Sequence, residues 1–328
     1  MKKILEKLFN NQILTKIEAE NTLTKIASGE YNNSQIASFL TVFLMREISV
    51  EELAGFRKAL LNLSIKLDFS DFNTIDLCGT GGDSKNTFNI STLSSFVVAG
   101  AGYKVAKHGN YGVSSVSGSS NMLEHFGYKF TNDNSILKKQ LETANICFLH
   151  APLFHPAMKA VAPVRKELKM KTIFNLLGPI VNPSNPGNQL VGVFDLKTAE
   201  LYGKLFSTLD KNYAIVHTIS GYDEISLTDD FKIITKNENK IVSPKNLGFK
   251  TYEEKALEGG KTIKEAAKIF QTIIEGNGSE AQNNVVLANA AYAIQTISNK
   301  SFEESFKEAE NSLFYKKALE KFKKLLEK

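Results

Sequence analysis

Arginine is scarce in this chain: Arg46, Arg57 and Arg165 stand alone among 40 basic residues, and the rest are lysine. A protein that reads nucleic acid favours Arg for its planar, bidentate fork and gathers its charge on one face. Here a net charge of +5 is spread over lysines interleaved with glutamates, as from Phe302 to Lys328, the pattern of a solvated helical surface. Nucleic-acid binding is therefore not expected, whereas a modest positive excess suits a phosphorylated small molecule. Cysteine is limited to Cys78 and Cys147, too few for a disulfide framework or a thiolate metal site. No apolar run approaches the roughly 20 residues that a membrane span needs. Met1-Lys2-Lys3 is followed by mixed polar residues, not by the apolar stretch of a secretory signal. A cytoplasmic location with no membrane role is expected. Internal repeats and low-complexity linkers are also missing.

What is present is ordinary globular material, 42% hydrophobic and 23% charged over 328 residues, enough for two domains with a substantial core. Residues 1 to about 66 read as helices. Thr15 with Glu18 and Ser49 with Glu52 fit capping boxes, and Ile36, Phe39, Leu40, Phe43 and Leu44 follow the spacing of one apolar helix face. From about residue 73 the texture changes. Strands are expected at Thr74–Cys78, Tyr103–Lys107, Ile146–His150, Leu190–Phe194 and Ala214–Ile219, with helical stretches between several of them. That alternation predicts an α/β fold with a mainly parallel central sheet. Phe231–Thr235 and Lys240–Val242 read as a hairpin, and the last third reads as mainly helical, including Ser279–Ile297.

Chemistry concentrates at two turns. Gly79-Thr80-Gly81-Gly82-Asp83 follows the first strand directly, and its glycines allow the positive φ and close approach of an anion nest. The spacing fits neither the dinucleotide fingerprint nor the phosphate loop of nucleotide hydrolases. Alone it could be a tight turn. Thr87, Asn89, Ser91 and Thr92 follow at the start of the next helix, where hydroxyls, unsatisfied N–H groups and a positive dipole end favour an anion. After the second strand comes Lys107-His108-Gly109-Asn110, then a Ser- and Gly-rich stretch through Ser114, Ser115, Ser117, Gly118, Ser119 and Ser120. Two such loops at the carboxyl ends of successive strands are where open α/β sheets bind ligands.

In their order and spacing, GTGGD, the N-I-S-T stretch Asn89–Thr92 and KHGN resemble the anthranilate phosphoribosyltransferase family, whose wider fold group includes pyrimidine nucleoside phosphorylases. Phe154–Lys159, Val164–Leu168, Phe174–Pro179 with Asn182-Pro183, and Gly221-Tyr222-Asp223-Glu224 extend the resemblance over nearly the whole chain. It implies a small helical N-terminal domain (1–70, with a returning segment at about 165–185) and a larger α/β domain (71–164 and 186–328), with a cleft between them. It implies transfer of the phosphoribosyl group of phosphoribosyl pyrophosphate (PRPP) to the amine of anthranilate, in tryptophan biosynthesis. By the same carry-over the donor is held by Gly79, Gly82, Asp83, Thr87, Asn89, Ile90, Ser91, Thr92, Lys107, His108, Gly109, Asn110, Ser115 and Ser119. Anthranilate is placed against Gly79, Asn110, His155 and Arg165, with the Arg165 fork on its carboxylate. Asp223 and Glu224, aided by the Ser91 hydroxyl, are expected to hold two magnesium ions per subunit. His108 is the candidate for a direct catalytic role in a reaction expected to run on electrostatics and positioning, without a covalent intermediate. A homodimer through the helical domain is expected.

Two departures stand out. The family usually carries Arg after KHGN, where this chain has Tyr111, and Gly118-Ser119-Ser120-Asn121 replaces the usual Gly-Ala/Ser-Ala-Asp. A nucleoside phosphorylase of the same fold has no use for Arg165 or the FNLLGP segment. A nucleic-acid-binding relative would lack the acid pair and carry a basic stripe.

Overall fold

Thr15 and Ser49 start helices as their spacing to Glu18 and Glu52 dictates: each side chain accepts from the backbone N–H three residues on, and each glutamate reaches back. Helices Lys16–Ala27, Asn33–Met45 and Val50–Leu63 follow. Phe39, Phe43 and Phe56 meet edge to face at 5.2–5.8 Å, so the apolar stripe read from the sequence is core. Glu52 is fully buried. Its carboxylate takes a bidentate bond from Arg46 (2.6 and 3.0 Å) and the N–H groups of Leu14 and Ser49.

The computed structural model describes residues 1–112 and 116–327, which divide into two units, Met1–Lys66 with Ala151–Asn185 and Leu67–His150 with Pro186–Lys328. In the first unit, Arg57 ties the returning segment to the N-terminal helices through Ile180 O (2.9 Å) and Asn185 Oδ1 (3.1 Å). The return begins at Ala151 rather than near 165. The third strand ends at His150, the chain runs straight into the helix Ala151–Phe154, and Phe154 O accepts from Ile65 N–H (2.9 Å) within the helical unit.

The second unit is built on a seven-stranded sheet: β1 Thr74–Gly79, β2 Lys104–Gly109, β3 Ile146–His150, β4 Asn188–Gly192, β5 Asn212–Thr218, β6 Phe231–Thr235 and β7 Asn239–Val242. Their order is β3-β2-β1-β4-β5-β6-β7, parallel through the first five and antiparallel for the last two. β4 and β5 begin about two residues earlier than apolar content alone suggests. The Asn73, Asn188 and Asn212 side chains bond to one another across the strand starts (2.7 and 3.0 Å), so polar residues there belong to the sheet. The helix Ile90–Gly100 packs its Phe96 among Phe126, Phe270 and Phe322, ring centroids 5.1–6.2 Å apart. No helix among the described residues is long and apolar enough to cross a membrane.

Strand order reverses at β1, with β2 and β3 on one side and β4 onward on the other. In such sheets ligands bind outside the carboxyl ends at that switch point. The register puts Gly79 directly beside Gly192 there.

Candidate active site

Gly79 and Gly192 lack side chains because Asp223 lies over them. A Cβ on Gly79 would sit 2.4 Å from Asp223 Oδ2, and one on Gly192 only 1.6 Å from the Asp223 carbonyl oxygen. The turn that delivers Asp223 follows β5. Gly221 takes a left-handed φ of 96°, Thr218 Oγ1 donates to Glu224 O (2.6 Å), and Asn289 clasps Ile225 through N–H and C=O (3.2 and 2.8 Å). Both carboxylates then meet the two anion-holding elements of the β1 turn. Gly81, in the left-handed region, donates its N–H to Asp223 Oδ2 (2.7 Å), and Ser91, in the first turn of its helix, donates to Glu224 Oε1 (3.0 Å). The N–H groups expected to face a substrate anion are thus oriented by the chain's own acids.

Lys107 is buried at the next strand end; its Nζ donates to Leu77 O (2.5 Å) and lies 3.5 Å from Ser91 Oγ. Burial lowers its pKa, against the pull of Asp76 and Glu224. The acids feel the opposite strain. Burial first, and then Asp83, pushes the Asp223 carboxyl up to about 7. Burial, Asp223 and Asp83 push Glu224 well above the carboxylate range. Carboxylates crowded together in low dielectric are short of cations. A space of about 10 Å³ lined by Cys78, Gly79, Ser91, Asp223, Glu224 and Asn289 lies between them.

The remaining predicted donor residues have varied settings. Gly82 has a φ of 75°, and Asp83 accepts from Lys85 N–H (3.0 Å). Thr87 is bridged to Glu258, while Asn86 O accepts from Gly259 N–H (2.7 Å). Asn89 stands at the N-cap of its helix without a side-chain cap bond; its Nδ2 donates instead to Ser117 O (3.0 Å), linking the two turns. Ile90 buries its side chain in the core and donates its N–H to Phe88 O (2.7 Å), and Thr92 is buried. His108 is buried, with its backbone N–H on Asp76 Oδ1 (3.0 Å). Gly109 leaves room for Ser119 Oγ and the Phe148 ring. Asn110 is exposed, its side chain accepting from Tyr111 N–H (2.8 Å) and its carbonyl from Ser119 Oγ (3.4 Å). Ser115 lies outside the described residues.

In the helical unit, His155 is buried, and burial lowers its pKa to about 4, so it is neutral at physiological pH. Arg165 is half-buried. Its guanidinium lies 5.4 Å from the Phe174 ring centroid, and it has no ion-pair partner among the described residues. Arg46 and Arg57 are spent on structure, which leaves Arg165 as the arginine available to a ligand. Every arginine falls in the helical unit, so the cationic side chains of the α/β unit are lysines and histidines.

Sequence reasoning missed Gly192, Asn289 and the Glu258-Gly259 segment that braces Thr87. The glycine pair Gly259-Gly260 was the one local signal for the last.

Sequence profiles of the glycosyl transferase family match residues 2–64 (helical bundle domain) and 71–319 (a/b domain). An anthranilate phosphoribosyltransferase from Flavobacterium johnsoniae is 59% identical over 327 residues, covering 100% of this chain and 99% of that protein. One from Bacteroides fragilis is 53% identical, with the same coverage. Among solved structures, anthranilate phosphoribosyltransferase from Thermus thermophilus superposes with a TM-score of 0.92 at 28% identity, covering 98% of both chains. The Saccharomyces cerevisiae enzyme in complex with PRPP and Mg superposes at 0.89 and 26% identity, covering 98% of this chain and 95% of that one.

Proposed function

We propose that this chain, which belongs to the anthranilate phosphoribosyltransferases of the glycosyl transferase family, binds its donor at the β1 and β2 turns and its metal at Asp223 and Glu224. The reaction transfers the phosphoribosyl group of PRPP to the amine of anthranilate, giving N-(5-phosphoribosyl)anthranilate and pyrophosphate in tryptophan biosynthesis. One observation carries the site assignment. Asp223 is buried and Glu224 half-buried, and the two are crowded and pinned by N–H groups of the glycine turn and of the helix start that follows it.

The donor set fits a hard divalent cation. Asp223 and Glu224 offer carboxylate oxygens, and the Ser91 hydroxyl stands beside them. Among the described residues no group of three or more His, Cys, Asp or Glu is arranged to hold a metal. Two carboxylates are what magnesium asks of a protein when substrate phosphates and water complete its octahedron. We propose two ions per subunit, since the acids are adjacent and Asp83 adds a third charge nearby. When bound, magnesium supplies positive charge to the departing pyrophosphate.

The chain's own residues do the rest. The aromatic amine is neutral near pH 7, so exposing its lone pair needs no strong base. We expect an oxocarbenium-like transition state, by analogy with other glycosyl transfers, whose main demand is stabilisation of charge on the leaving group. Gly82, Asp83, Thr87, Asn89, Ser91 and Thr92 on one turn, and Lys107, Gly109, Asn110 and Ser119 on the other, hold the donor by N–H, hydroxyl and ammonium groups. Arg165 grips the anthranilate carboxylate, which suits its unpaired planar fork; Gly79, Asn110 and His155 are the neighbours assigned to the ring and amine. His108, buried beside these donor residues in the chain, stays the candidate for any direct catalytic role. The exposed Phe9, Ile17 and Met45 of the helical unit (62%, 69% and 83%) support pairing of two copies through that unit. A cytoplasmic site of action suits the biosynthetic reaction.

Purified protein mixed with anthranilate, PRPP and magnesium should consume the anthranilate fluorescence. Asp223→Asn with Glu224→Gln should abolish that signal while the fold, followed by circular dichroism, persists. An active double variant refutes the metal assignment. His108→Ala that binds both substrates yet does not turn over refutes the view that no side-chain base is needed.

A further inference from the structure

His150 closes β3 and is buried, 5% exposed, in a setting that neither the donor nor the metal assignment uses. Its Nδ1 lies 2.9 Å from Ser120 Oγ. One face of its ring stacks on Phe130 (centroids 4.3 Å, planes 18° apart), and Tyr111 meets it edge-on (4.9 Å, 78°). Burial lowers its pKa, with Glu124 pulling the other way. Tyr111 lies just after β2, and Ser120 lies in the first turn of the helix Ser119–His125. Ser120 N–H donates to Asn110 O (3.1 Å), and Asn121 Oδ1 accepts from both Gly112 and Gly118 N–H (2.9 and 3.0 Å). The two stretches touch so closely that a Cβ on Gly118 would lie 2.2 Å from Gly112 N. The departures from the family pattern, Tyr111 and Ser120-Asn121, are the residues that make these links.

We infer that His150, through Ser120 and Tyr111, is a positioning residue that sets the spacing between the stretch Lys107–Gly112 and the helix start at Ser119-Ser120, the two described stretches assigned to the donor. The inference rests on the reading that these stretches bind PRPP. A buried hydroxyl bonded to an imidazole and an aromatic ring packed on it are the means of holding these stretches. Ser120 N–H is bonded to Asn110 O, and Asn110 is assigned to both substrates, so loss of the brace falls mainly on PRPP and to a smaller degree on anthranilate.

Steady-state kinetics with each substrate varied in turn, alongside thermal melting, provide the test. His150→Phe keeps the ring and leaves Ser120 without its partner. His150→Asn keeps a polar atom near the Nδ1 position. Ser120→Ala removes the hydroxyl, and Tyr111→Ala removes an exposed ring whose loss does not threaten folding. His150→Phe and Ser120→Ala should each raise KM for PRPP roughly tenfold, and Tyr111→Ala roughly threefold, with kcat within about twofold of the parent and a smaller rise in the anthranilate KM through Asn110. His150→Asn should restore most of the donor affinity, and the double variant of His150→Phe with Ser120→Ala should be no worse than the poorer single one. An unchanged donor KM in His150→Phe overturns the inference. So does a parallel loss of kcat, both KM values and melting temperature, which marks a merely structural role. Asn110→Ala separates the premise from the inference: if it leaves the PRPP KM unchanged, these stretches are not the donor site, whereas a change there with none in His150→Phe sinks only the brace.

Discussion

Replacing Gly192 by alanine puts a methyl 1.6 Å from the Asp223 carbonyl oxygen, inside any tolerable contact. The opposing atom is backbone in a turn held by Thr218 and Asn289, so it has no rotamer to yield with. Asp223 must retreat by roughly 1.5 Å, at a packing cost of about 1–3 kcal/mol. That retreat breaks the 2.7 Å bond from Gly81 N–H and drags the neighbouring Glu224 off Ser91. A misplacement of about 1 Å in a catalytic constellation can cost on the order of 100-fold, so kcat/KM for PRPP should fall by about that factor while the protein stays folded. Gly187→Ala is the control, because a Cβ there meets nothing within 4 Å. Anthranilate fluorescence at saturating magnesium reads the rate, and circular dichroism reads the fold. If Gly192→Ala turns over like Gly187→Ala, the acid turn does not need the place the structure gives it, and the metal assignment loses its main support.

Other outcomes follow from buried polar groups. Burial alone would raise the Glu52 carboxyl, but Arg46 and the N–H groups of Leu14 and Ser49 outweigh it and hold it below its ordinary 4.5. Its stabilising contribution is therefore present above pH 4.5 and lost as pH falls through the lower folded value; Glu52→Gln should cost about 3–5 kcal/mol at pH 7 and flatten that acid limb in calorimetric melting. A variant as stable as the parent contradicts this. Asn289→Ala strips the partners of Ile225 next to the acid pair, at about 1–3 kcal/mol for the groups left unpaired, and should raise the magnesium concentration for half-maximal rate about tenfold. An unchanged magnesium curve would show that Asn289 does not hold the acids in place. Arg165→Lys should raise the anthranilate KM at least about tenfold through loss of the bidentate fork, with the PRPP KM unmoved; equal effects on both substrates would remove Arg165 from the acceptor site.

The sequence revealed what local chemistry decides. Capping boxes at Thr15 and Ser49, the glycine turn after β1 and the β6–β7 hairpin each depend on residues a few positions apart, and each appears where the spacing puts it. Asn188 falls outside the strand expected at Leu190–Phe194 because its polarity is satisfied by Asn73, Thr74 and Asn212, distant in sequence. Gly192 gave no warning either, since its need for a bare Cα comes from Asp223, which reaches it only through the fold. Asp223 and Glu224 look like any solvated turn pair along the chain. What sets them apart is the fold, which brings them against the N–H groups of Gly81 and Ser91.

The most direct measurement is calorimetric titration of PRPP into the protein with magnesium and with a chelator present, in the parent and in Asp223→Asn with Glu224→Gln. The parent should bind the donor in magnesium and lose most of that affinity in the chelator, while the double variant binds equally weakly in both. A double variant that keeps the full magnesium-dependent affinity would place the metal and the donor somewhere other than the turns of β1, β2 and β5.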